Sequence, residues 1–198
     1  MAHISQLPQY NLTTGQLNLL FRLRIIWRDI ATWMRAYLVY TFLDSDPELK
    51  EAAAQKLTDL PVKYADVFRV YFGNEIADDH TVLMSNYTKL LMSLIDATKS
   101  GDTDAINEYT NLINENINER VNFLTYINPF WEKSTMSDLL HTFNDMTISE
   151  INTFANKDYQ NNSDLFSRIL TYADRMGDTF ADGMLNYFTF SSRQPRIP

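Results

Sequence analysis

Residues 25–40 read IIWRDIATWMRAYLVY, an apolar run that also carries Trp27 and Trp33, Asp29, Arg28 and Arg35. It is either the wall of a site or a bundle helix showing its core face and its rim, and the spacing decides between them. Working outward, apolar positions recur at Leu19, Leu20, Leu23, Ile26, Trp27, Ile30, Trp33, Met34, Tyr37, Leu38 and Thr41. Steps of three and four make one broad helical stripe, about 28 residues long. Two tryptophans six apart stand roughly 120° from each other around a helix, so they cannot act as one clamp. One faces the core and the other a neighbouring helix or groove. The helix is expected to present Ile26, Ile30, Trp33 and Tyr37 to the core, and Arg28 and Asp29 to a charged rim.

Boundaries on either side support the same reading. Thr13 and Gln16 form a capping-box pattern ahead of the stripe, and Pro47 pushes Asp46 out of helical geometry behind it. Two short helices are expected at 48–58 and 61–72, the second opened by Pro61. Gly73-Asn74 breaks the chain before a long helix at about 77–99, with a stripe through Val82, Leu83, Tyr87, Leu90, Leu91, Leu94 and Ile95. In Ser100-Gly-Asp-Thr103, glycine closes one helix, and Asp102 or Thr103 caps the next. That next helix, 103–127, buries Ile106, Tyr109, Ile113, Ile117, Val121 and Leu124, and Asn128-Pro-Phe-Trp131 stops it. A further helix starts near Ser134, with a capping-box pattern at Thr147-Ile-Ser-Glu150 marking a bend. Residues 157–162 read as a polar loop, and a last helix runs over 163–188. Strand signals are absent.

Composition bounds the function. The chain has 198 residues, 45% of them hydrophobic, enough for one well-buried domain at 13–190, with an N-terminal tail at 1–12 and a disordered tail expected at 191–198. A faint repeat links Tyr71-Phe-Gly73 with Pro129-Phe-Trp131, and Ala36–Tyr40 with Asn122–Tyr126, suggesting pseudo-two-fold halves at 13–100 and 103–188. Cysteine is absent, which excludes disulfides, thiolate metal sites and a cysteine nucleophile, and fits a cytoplasmic protein. No signal peptide is read at the start. Net charge is −8, yet residues 1–43 carry four arginines against Asp29 alone, so they hold +3 and the remainder −11. So acidic a chain is a poor nucleic-acid binder, and the first helix is too charged to span a membrane. Its arginines are expected to meet acidic helices of the same fold.

Catalytic signals are weak. No glutamate precedes a histidine by three, so the bundle metal pattern is missing, and no cofactor is expected. Gly-x-Ser-x-Gly and Gly-rich phosphate loops are also missing. His3 lies in the first tail; His80 and His141 read as rim or solvated residues. Asn116 stands out, because the stripe Ile113, Asn116, Ile117, Arg120 places an amide near a core face. A buried amide without partners costs roughly 1–3 kcal/mol. Tyr87 and Tyr109 are candidate partners, and register specification or ligand contact are candidate roles.

Several motifs occur in a fixed order: Trp27-x5-Trp33-x-Arg35, Ala97-Thr-Lys-Ser-Gly-Asp102, Asn116-x6-Phe123-Leu124, Ile127-Asn-Pro-Phe-Trp131, Ala173-Asp174 and Asp182-Gly183. Over roughly residues 17–188 this set resembles an uncharacterised bacterial family of small helical-bundle proteins. Members are often labelled acetylglutamate kinase or glycosyltransferase. This chain has neither a nucleotide-binding loop nor α/β alternation, so neither activity is expected of it. The resemblance implies mid-helix histidines in other members; the matching places here hold Ile30, Tyr87, Phe143 and Phe166, while Asn116 matches the family's asparagine.

The expected fold is therefore all-α, an antiparallel up-and-down four-helix bundle with additional short helices. The expected function is a non-enzymatic bundle protein that binds a small apolar ligand or a protein partner, including a second copy of itself. Candidate ligand-binding residues are Asn116, Tyr87, Trp33, Ile30, Phe143 and Phe166. The alternative is a metal-binding bundle protein or enzyme related to the histidine-bearing members.

Overall fold

A computed structural model describes residues 13–193, with side chains through Phe190. The expected tails, apart from the end of the last helix, and His3 lie outside the described residues. Within them the chain is all-helical: α1 (Thr14–Phe42), α2 (Pro47–Phe72), α3 (Asn74–Ser100), α4 (Thr103–Ile127), α5 (Lys133–Ala155) and α6 (Tyr159–Arg193). All six are long, where four long helices with short bridging ones were expected.

The difference lies chiefly in α2, which runs unbroken through Pro61. A mid-helix proline costs about 3 kcal/mol. However, Leu57, Leu60, Tyr64, Ala65 and Phe68 keep one stripe in register across it, and all are buried. Packing of that stripe outweighs the local penalty. The capping box expected at Thr147 does not form either. Its hydroxyl donates back to the Phe143 carbonyl at 2.9 Å instead of capping a new helix, and α5 continues to Ala155. The polar stretch expected as a loop at 157–162 is mostly helix, because α6 starts at Tyr159.

Other boundaries follow the sequence signals. Thr13 and Gln16 exchange both capping-box bonds, and Asp46 accepts from the Glu48 amide with Pro47 in the first turn. Gly101 closes α3 at φ 73° and Asp102 caps α4 through the Ala105 amide. Gly73 alone joins α2 to α3 at φ 87°, ψ 179°, a backbone region open almost only to glycine.

With such short links, consecutive helices pack side by side and antiparallel. α6 closes the ring on α1, and α1, α3 and α5 also touch one another across the interior. Directions are legible in the contacts. Arg24 meets Asp178 and Arg28 meets Asp174, so α6 descends as α1 rises. Trp27 meets Phe143 and Arg35 meets Glu150, so α5 rises with α1. The basic first helix thus pairs with acidic residues of its own fold.

On α1 the buried residues are Leu19, Leu23, Ile26, Trp27, Ile30, Ala31, Met34, Tyr37, Leu38 and Thr41. Trp27, fully enclosed, is the core tryptophan; Trp33 lies half-buried at the α2 side, under the Lys56 ammonium at 6.0 Å. On α3 the buried line passes through Ala77, His80, Met84, Tyr87, Thr88 and Leu91, leaving Val82 exposed. No helix among the described residues is long and apolar enough to cross a membrane.

Candidate functional site

Rings from five helices fill the middle of the bundle. Trp27 contacts Tyr64, Phe143 and Phe180 with centroid distances of 5.2–5.8 Å. Its indole N–H donates to the Tyr64 hydroxyl at 3.1 Å, which satisfies a group that burial would otherwise leave stranded. His80 of α3 stacks on Phe68 at 3.9 Å and meets the edge of Tyr64 at 4.6 Å. It is buried, not a rim residue as expected, because Ala77, His80 and Met84 continue the inward stripe. Burial, and secondarily the nearby Arg120 charge, hold its pKa well below the ordinary histidine value. The ring is therefore neutral at pH 7.

Arg120 lies within this aromatic interior. It is 2% exposed, with its guanidinium 4.7 Å from the Tyr87 ring centroid and 5.8 Å from that of Trp27. Cation–π attraction holds it there; about 2 kcal/mol or more is typical once water is excluded. Still, neither Nε nor Nη2 has a hydrogen-bond acceptor among the described residues. Burial lowers its pKa from the ordinary value, and the Tyr87 and Tyr64 hydroxyls oppose that shift. Burial likewise pushes the Tyr87 phenol up to about 12, with Arg120 pulling the other way.

More unpartnered polar atoms surround this layer. Asn116, one turn from Arg120, donates through Nδ2 to the Leu83 carbonyl at 3.1 Å, while its Oδ1 has no donor. In place of the expected partners Tyr87 and Tyr109, a backbone carbonyl of α3 accepts from the amide. Asn144 is completely buried, and neither of its side-chain polar atoms is matched. The contact of His141 with Asn118, 3.3 Å, sets the α4–α5 register and places Asn144 about level with Asn116. His80 Nδ1 is unmatched as well.

The six residues singled out by sequence divide accordingly. Ile30, Tyr87, Asn116 and Phe143 belong to the buried interior. Trp33 and Phe166 are only partly buried and pack against its edge: Trp33 on the α2 side, and Phe166 under the Arg35 guanidinium at 4.5 Å. Sequence reasoning passed over Arg120, His80 and Asn144 as site residues. Their signal was a polar residue in phase with an apolar stripe, the same one that marked Asn116.

A second polar group lies nearer the α5–α6 link. Arg35 donates to Glu150 at 2.5 Å and to Asn162 Oδ1 at 2.8 Å. Asn162 Nδ2 reaches the Glu150 carbonyl at 2.8 Å and the Thr153 hydroxyl at 3.1 Å. Every member is partnered, so this cluster reads as a structural clasp. Among the described residues no group of three or more His, Asp or Glu is placed to hold a metal ion. No protein-family model, curated protein or solved structure matches the chain.

Proposed function

We propose that this protein is a non-enzymatic binding protein that holds a small ligand inside the bundle, at the layer of Tyr87, Asn116, Arg120 and Phe143. One observation carries the reading. Buried polar atoms of Arg120 and, about one helical turn along, Asn116 and Asn144, together with His80, lack hydrogen-bond partners among the described residues. An unmatched buried polar group costs roughly 1–3 kcal/mol and a charged one more. A fold that keeps four such residues together gains most if a ligand meets them. The surrounding rings supply an apolar wall, as small-molecule sites generally require.

The absence of cysteine supports a cytoplasmic setting. Leu17, Phe21 and Ile25, exposed and four apart along α1, support self-association. The ordered motifs support kinship with the bacterial bundle family described above.

Native mass spectrometry of gently purified protein tests the binding reading. The expected result is a discrete mass above that of the bare chain, released on denaturation and identifiable as a small organic molecule. A spectrum of bare chain alone, together with no thermal response to a panel of small apolar compounds, would discard it. Elemental analysis on the same sample addresses the metalloprotein alternative, which a stoichiometric transition metal would favour.

A further inference from the structure

Between α5 and α6 the surface carries a groove of about 560 Å³, with Thr142 and Met146 on the α5 wall and Arg168, Thr171, Tyr172 and Arg175 on the α6 wall. Thr142 and Thr171 are short, which leaves the space between the helices unfilled. Arg168 and Arg175 are seven residues apart, so they share one face of α6, about 10.5 Å apart along its axis. Arg24, Arg28, Arg35 and Arg69 each form an ion pair with a carboxylate. Arg168 and Arg175 form none with any described residue. Instead Arg175 lies against the Tyr172 ring, 5.5 Å from its centroid, and no acid lines the groove. Asp145 and Asp164 line an adjoining cavity that shares Thr142, Met146 and Arg168 with it. The two make one trough, basic at the Arg175 end and acidic at the other.

We propose that this trough binds a phosphate monoester of a small organic molecule, with the phosphate between Arg168 and Arg175 and the organic body over Met146 toward Leu165. The trough lies on the surface, apart from the enclosed layer, so this site goes beyond the binding reading above and does not depend on it. Charge and shape select the class. Two guanidiniums with no acid between them carry two positive charges, which a phosphate monoester dianion balances and a monoanion only halves. Each guanidinium offers a fork of parallel N–H donors; a phosphate monoester has three free oxygens to take a fork from each side, where a carboxylate has two. The Thr142 hydroxyl on the opposite wall can add a donor. Farther along, Asp145 and Asp164 repel a second anionic group, so the body is neutral or cationic, and Met146 and Leu165 give it an apolar surface.

The test uses the full chain at pH 8 and constant ionic strength, where a phosphate monoester is a dianion, its second pKa being about 6. The readout is the 15N–1H spectrum of backbone amides and arginine Nε groups during titration. The probes are phenyl phosphate, phenyl sulfate, inorganic phosphate and phenol. Phenyl phosphate is expected to shift, saturably and with one affinity, the Nε resonances of Arg168 and Arg175 and the amides of Thr142, Met146 and Tyr172. Phenyl sulfate, with one charge fewer, and inorganic phosphate, which lacks the body, should bind at least about tenfold more weakly, and phenol should shift nothing. Arg168→Gln and Arg175→Gln should each weaken phenyl phosphate at least about tenfold, while Arg22→Gln on α1 leaves it unchanged. Thr142→Trp keeps both charges but fills the groove, and should abolish the response. Equal affinity for inorganic phosphate would overturn the ester assignment and leave an adventitious anion only. Equal affinity for phenyl sulfate would overturn the dianion. Shifts that spread over every exposed arginine, shifts that survive Thr142→Trp, or silence from phenyl phosphate would overturn the site itself. Every substituted residue is exposed, so loss of the fold does not confound the variants, and the unaltered protein maps the site without them.

Discussion

Arg35 on α1 and Glu150 on α5 form a 2.5 Å ion pair, with the Glu150 side chain only 3% exposed. Burial outweighs the pull of Arg35 and pushes the Glu150 carboxyl up to about 7. A folded-state pKa above the unfolded one means the native state holds the proton more tightly. The contribution of this group is therefore fully present below about pH 4.5 and fades as pH rises through 7. Glu150→Gln keeps the shape and removes the titration. Urea unfolding across pH 4.5–8 should show the variant gaining up to about 3 kcal/mol relative to the parent as pH rises. A constant difference across that range would show that Glu150 is ionised throughout.

His80 carries the opposite slope. Its folded pKa is depressed, so the unfolded chain takes up a proton that the native state refuses. Stability from His80 is present above about pH 6.5 and is lost as pH falls below it, by about 1.4 kcal/mol per unit. His80→Phe keeps a ring against Phe68 and abolishes the titration. Denaturation midpoints of the two proteins should be close at pH 8 and diverge in favour of the variant by pH 5.5. Parallel curves would mean that the ring is hydrated in the native state.

Gly177 fixes how closely α6 approaches α1. A Cβ added there would lie 2.5 Å from the backbone nitrogen of Arg24, between the Arg24–Asp178 and Arg28–Asp174 pairs. Helix propensity alone would make Gly177→Ala stabilising by about 1 kcal/mol. Overpacking against backbone should reverse the sign, giving a net loss of about 1–3 kcal/mol in chemical denaturation. A gain in stability would show that the two helices can part without cost.

The tryptophans of the opening helix should separate cleanly. Trp27→Ala removes the hub of the aromatic layer and leaves the Tyr64 hydroxyl without its donor, a loss of about 3–5 kcal/mol. Trp33→Ala, at the α2 side, should lose less than half as much. Comparable losses would contradict the placement of Trp33 outside the core.

Much of the fold was legible in the stripe and the caps. Nearly every position read as apolar on α1 is buried, and Thr13, Asp46, Gly73, Gly101 and Asp102 act where their residue types said they would. These are local effects, set by i to i+4 spacing and by one or two dihedral angles. The misreadings at Pro61, Thr147 and 157–162 share a cause. Each is a local breaking signal overridden by packing of a continuous buried face, or, for Asn162, by bonds to Glu150 and Thr153.

What the sequence by itself determined was the helical class, the helix ends apart from those three places, the start of α3 and the end of α6, and which face of α1 turns inward, because propensity and periodicity act within a few residues. Only tertiary structure decided that α6 closes on α1, that Trp27 and not Trp33 enters the core, and that Arg120 is enclosed without a protein carboxylate. Those outcomes depend on which side chains from distant helices arrive at the same level, and no spacing along one helix encodes that.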